Sequence, residues 1–163
     1  MGRLRTMLVA LVGAVSLVVG GGAVASAHEG GLTLLEFDSM TPVTGSAVGT
    51  VNDRGIIGGG FPWAITSGSG ELDRFGELHV QVTGLVIPVA PFFGINPVAK
   101  FGATVSCLTP HGIVNIRTAT VPATATGDAT IDATVALPTP CKDPIVFVTS
   151  PGGAWFAMSN PED

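Results

Sequence analysis

The sequence predicts an all-β domain, either a two-sheet sandwich of immunoglobulin-like or similar kind or a small antiparallel barrel, behind a helical signal peptide that is cleaved. Three observations predict it. Beyond residue 27 the apolar side chains recur with a period of two and not 3.6, the mark of strands with one buried face. The chain carries 23 Gly and 12 Pro, residues that punctuate strands and interrupt helices. Hydrophobic residues make up 46% and charged residues 12%, which supplies one packed core and excludes a disordered acidic tail. In a chain of 163 residues, a leader over 1–27 leaves 28–163 as a single domain.

The leader is read from Arg3 and Arg5, a basic start, followed by the uncharged apolar run Met7 to Gly20 and then small residues. The run dissolves into Gly20-Gly21-Gly22, so a retained transmembrane anchor is not expected after processing. Two small-x-small sites compete. Cleavage after Ala27 would expose His28, and cleavage after Ala25 would expose Ser26. Both routes predict a protein that is secreted or held in the cell envelope. With Arg3 and Arg5 removed, five cationic side chains face twelve acidic ones, which disfavours nucleic acid as a partner.

Taken in order, Leu32 to Phe37 is a first candidate strand. Trp63 to Leu72 and Glu77 to Thr83 flank Asp73-Arg74-Phe75-Gly76 and read as a hairpin, with Leu78, Val80 and Val82 on the buried face and His79, Gln81 and Thr83 outward. Phe101 to Cys107 places Phe101, Ala103, Val105 and Cys107 on one face, and Ile113 to Thr118 follows as a weaker strand. Thr118 to Thr130 reads as a connection with an edge strand. Ala129 to Leu137 turns Ala129, Ile131, Ala133, Val135 and Leu137 inward and Thr130, Asp132 and Thr134 outward. Ile145 to Thr149 and Ala154 to Met158 surround Ser150-Pro151-Gly152-Gly153 and predict a second hairpin, with Trp155 in the core.

Cys107 and Cys141 are the only cysteines. In an oxidising compartment they predict one bridge, closed over 34 residues and contributing roughly 3–4 kcal/mol in the chain-entropy description. Neither has the C-x-x-C spacing of a redox or metal motif.

Motifs for catalysis are sparse. Gly55 to Trp63 is glycine-rich, yet no G-K-[ST] follows, so it reads as a tight strand junction and not a phosphate loop. Gly68-Ser69-Gly70 lacks the G-x-S-x-G spacing of a nucleophile elbow. Glu71 with Glu77, or Asp128 with Asp132, could in principle supply an acid/base pair. The even spacing of Asp128 and Asp132 predicts that both lie on one outward strand face.

Two features point to binding. The first is histidine: a mature N-terminal His28 offers an amine and an imidazole to copper, with His79 or His111 as a further ligand. The second is Gly84 to Pro97, fourteen residues without charge and with three prolines. It reads either as a loop with Phe92 and Phe93 tucked over the end of the domain or as an exposed apolar patch for a cell-envelope or protein partner.

From Gly58 to Met158 the chain resembles a group of small exported bacterial proteins without an assigned activity. The stretches that carry the resemblance are Gly59-Gly60-Phe61-Pro62-Trp63, Gly70-Glu71-Leu72, Gly76-Glu77-Leu78, Gly84-Leu85-Val86, Ala103 to Cys107, Pro144 to Val148 and Gly153 to Ala157. The resemblance implies export and a β fold, and it transfers no catalytic residue. The reading is thus a non-enzymatic binding or structural domain stapled by Cys107 and Cys141 and needing no cofactor. The alternative is a copper-binding or copper-dependent redox protein using His28.

Overall fold

The computed structural model describes residues 32–160; the expected leader, both cleavage sites and His28 lie outside them. Ten strands follow one another: β1 (Thr33–Phe37), β2 (Ser39–Pro42), β3 (Ser67–Asp73), β4 (Glu77–Thr83), β5 (Lys100–Thr109), β6 (Gly112–Arg117), β7 (Val121–Pro122), β8 (Ala129–Thr134), β9 (Lys142–Thr149) and β10 (Trp155–Asn160). No α-helix occurs among the described residues, and none there is long and apolar enough to cross a membrane.

The strands form two antiparallel sheets. One has four strands in the order β1-β3-β4-β8; the other has six, ordered β2-β10-β9-β5-β6 with β7 also paired to β5. Neither sheet closes on itself, so the barrel expected as an alternative is not formed. The chain changes sheets at Asp38, between β1 and β2. This four-residue strand was missed in the sequence because Ser39-Met40-Thr41-Pro42 is too short to show a period.

Alternation builds the four-stranded sheet. Leu72, Leu78, Val80, Val82 and Ile131 are buried on its inner side, each contributing about 1.5–3 kcal/mol on full burial. They meet Phe101, Ala103, Val105, Val146 and Val148 of the six-stranded sheet in one core. Trp63 closes one flank, stacked on Phe156 at 4.0 Å and edge-on to Phe101 at 6.3 Å. Trp63 donates its backbone N–H to Val43, 2.9 Å, next to β2 of the six-stranded sheet, and β3 begins only at Ser67 and not at Trp63 as expected.

Both expected hairpins form. Between β3 and β4, the Asp73 carboxylate accepts from the N–H groups of Phe75 and Glu77, each at 2.8 Å. Gly76 has φ +91° with the Val135 carbonyl where a Cβ would stand, so glycine is required there. Between β9 and β10, Gly153 donates to Ser150 and Ser150 to Ala154.

The outer side of the six-stranded sheet departs from expectation. The period of two puts Phe101, Ala103, Val105 and Cys107 on one face of β5, and on the other face Gly102, Thr104 and Ser106 are buried as well. The 48–59 segment covers this side. It folds back through a bridge between Val51 and Ile57, then binds β10 through Gly59 N–H to Trp155 and Trp155 N–H to Ile57, both 2.9 Å. Arg54 fastens the cover, donating to the Asp143 carbonyl at 2.8 Å and approaching the Ser106 carbonyl at 3.4 Å. Asn115 of β6 donates in return to the Arg54 carbonyl, 2.8 Å. Gly58 and Gly59 sit where a Cβ would meet Ala47 and Trp63, which accounts for the glycine-rich run as a close-packed junction.

Candidate functional site

The uncharged loop after β4 stands on a fixed base. Leu85 and Ile87 are buried, and Leu85 N–H donates to Gly127, 3.0 Å. The buried Asn96 donates its side-chain amide to the carbonyls of Val98 and Thr124, both 2.8 Å, and accepts from Val98 N–H at 2.9 Å. A bridge between Ile87 and Ile95 closes the neck.

Beyond that neck the two phenylalanines part. Phe92 is half-buried and packs edge-on against Phe61, with ring centroids 5.3 Å apart. Phe93 is 75% exposed and holds a left-handed backbone, φ +46°, a conformation costing roughly 1–2 kcal/mol for a residue other than glycine. Ile95, Phe61 and Val89 are also exposed. The result is a protruding apolar tip in which Phe61 joins from 31 residues earlier in the chain, a membership that no local pattern around Gly55–Trp63 announces.

The outward face of the four-stranded sheet holds a second arrangement. Strand register sets Glu36 opposite Glu71, Glu71 opposite His79 and His79 opposite Asp132. His79 Nδ1 lies 2.5 Å from Asp132 Oδ1; a carboxylate only accepts, so the ring presents its N–H to it. This pairing leaves Nε2 as the ring's remaining coordinating atom. Both side chains are well exposed. In the next row the Thr134 hydroxyl donates to Glu77, 2.9 Å.

His111 occupies the turn between β5 and β6, exposed, its N–H donating to Thr109 Oγ1 at 3.1 Å. It therefore belongs to the other sheet from His79. Among the described residues no group of three or more His, Cys, Asp or Glu side chains is placed to hold a metal ion.

Asp128 does not share a strand face with Asp132, contrary to the spacing argument. It precedes β8, next to Gly127 at φ +81°, and its carboxylate accepts from Gly84 N–H at 2.9 Å and from the hydroxyls of Thr126 and Thr124 at 2.7 and 3.2 Å. The Thr126 hydroxyl and then the Gly84 N–H hold its pKa below the ordinary carboxylate range, against a smaller opposing effect of burial. It is the knot that ties the loop base to β8.

Cys107 and Cys141 are bridged, with their Cα atoms 4.9 Å apart. Compared with models of protein families, with curated proteins and with solved structures, the chain matches none.

Proposed function

We propose that the protein is an exported, non-enzymatic binding domain, a stapled β-sandwich that presents the tip around Phe93 to a protein of the cell envelope. The observation that carries this reading is Phe93 itself. An aromatic ring three-quarters exposed, on a left-handed backbone, at the head of a loop whose base is tied down through Leu85 and Asn96, has been placed outward at a cost in stability. Apolar patches of this kind mark contact sites on soluble domains. The sandwich, of immunoglobulin-like or similar kind, serves as the rigid support.

The test is capture of envelope proteins by the purified domain and by a Phe61→Ser/Phe93→Asn variant. Asn tolerates the left-handed backbone, so this variant keeps the loop. Loss of a captured partner with an unchanged melting curve supports the reading, and equal capture by both proteins overturns it.

A second reading, the copper protein, is favoured by one observation: His79 is oriented by Asp132 with Nε2 open. It predicts a mature chain starting at His28 and Cu(II) uptake that is lost in both His28→Ala and His79→Ala. Uptake indifferent to either substitution removes it.

A further inference from the structure

A groove of about 580 Å³ opens at the opposite end of β4 from the Phe93 tip, between Leu34 of β1, Arg74 and Phe75 of the β3–β4 turn, and the 135–141 segment that leaves β8. Its volume falls in the range of small-molecule sites, about 300–1,000 Å³. The walls are mixed, with Leu34, Phe75, Val135, Leu137, Pro138 and Pro140 supplying the apolar part and Thr139 a hydroxyl. They are also fixed. Val135 N–H donates to Gly76 at 2.9 Å, the turn is held by the Asp73 carboxylate, and Cys141 is anchored to β5 by the disulfide.

One lining residue is charged, Arg74, and no carboxylate lies among the ten lining residues. Its backbone N–H is held by the Leu32 carbonyl, 2.8 Å, which anchors the residue at the rim while its side chain is exposed to solvent. The other two arginines of the domain are engaged with carbonyls of the fold, Arg54 with Asp143 and Arg117 with Pro151. Arg74 makes no ion pair among the described residues. A planar fork of donors beside a partly apolar cleft is the arrangement that receives a carboxylate attached to an apolar body.

We propose that this groove binds a small amphipathic acid, its apolar body lying on Leu137, Pro138, Pro140 and Phe75 and its carboxylate meeting Arg74. The site is independent of the Phe93 tip. Decanoate titrated calorimetrically into the protein as isolated is the test, with uncharged decanamide alongside and protein amide resonances followed by NMR. The expected result is saturable binding of decanoate, weakened about tenfold or more in Arg74→Gln, while decanamide binds both proteins weakly and alike. The shifted amides are expected at Arg74, Phe75 and Val135 to Leu137. Absence of saturation overturns the proposal, as does equal decanoate affinity in Arg74→Gln. Shifts confined to another region also overturn it, and so does a groove shown by contacts in the same spectra to be filled by residues 28–31 or by a second copy of the chain.

Discussion

β4 and β5 sit in facing sheets and meet in the same core, yet solvent treats them differently. Along β4 burial alternates residue by residue, with Leu78, Val80 and Val82 inside and Glu77, His79 and Gln81 exposed. Along β5 seven consecutive residues are buried, because the 48–59 segment lies over the outer side and Phe147 and Trp155 pack beneath it, edge-on at 5.8 Å. A strand's own pattern reveals a bare face, whereas a covered face is supplied from elsewhere in the chain. The six-stranded sheet is therefore the thicker part of the molecule, with packing on both sides, and the four-stranded sheet offers its outer face to whatever surrounds it.

That contrast can be broken most directly at Phe147. If the cover is real, Phe147→Ala opens a cavity on the outer side of β9 and lowers stability by about 3–5 kcal/mol, measured by denaturant unfolding. A loss under about 1 kcal/mol would mean that the ring is solvated and the cover absent. Next in size is Arg54→Ala, expected to cost about 1–3 kcal/mol because carbonyls of Ser106 and Asp143 lose their donor. Faster amide exchange across residues 50–58 and at Trp155, with β4 unchanged, would sharpen the comparison by locating the loss on one sheet.

On the side of the four-stranded sheet the expected effects are smaller and respond to pH. Asp128 has a folded-state pKa below its unfolded value, so its contribution is full above the ordinary carboxylate range, near pH 4, and is lost as pH falls through the lowered folded value. Asp128→Asn is thus expected to be less stable than the native chain at neutral pH, with the two unfolding curves converging in acid. Curves that stay parallel down to low pH would show that the charge is not what the hydroxyls and Gly84 hold. Smallest is His79→Ala, expected within about 1 kcal/mol since both partners are exposed. A larger loss would make the bare face more structural than its exposure implies.

The same contrast explains what could be read in advance. The β3–β4 and β9–β10 hairpins, the inward residues of β8 and the cysteine pairing are local or follow from period two, and they were legible. The burial of Thr104 and Ser106 was not, since a small polar residue on a strand looks outward until Arg54 and the cover are known. Nor was the pairing of His79 with Asp132 visible, which depends on the register of strands 53 residues apart. The Asp128 reading failed at a definite point: the spacing rule holds within a continuous strand, and β8 begins only at Ala129, after the left-handed Gly127. Phe61 and Arg74 joined their surfaces through tertiary packing, where no motif precedes them.

The bridge from Cys107 to Cys141 has a consequence for how the chain survives a cut. It makes a covalent ring of residues 107–141, and that ring contains β6, β7 and β8, the last of which completes the opposite sheet. The exposed turns at Pro110–His111 and Ala125–Thr126 lie inside it and are the kind of site that proteases cut. A single cut at either leaves two fragments, one ending with β5 or later and one carrying β9 and β10, still linked through the sulfurs and still zipped together by the β5–β9 ladder. Such a clipped molecule would run as one species until a reductant separates it, so damage at these turns need not end its working life.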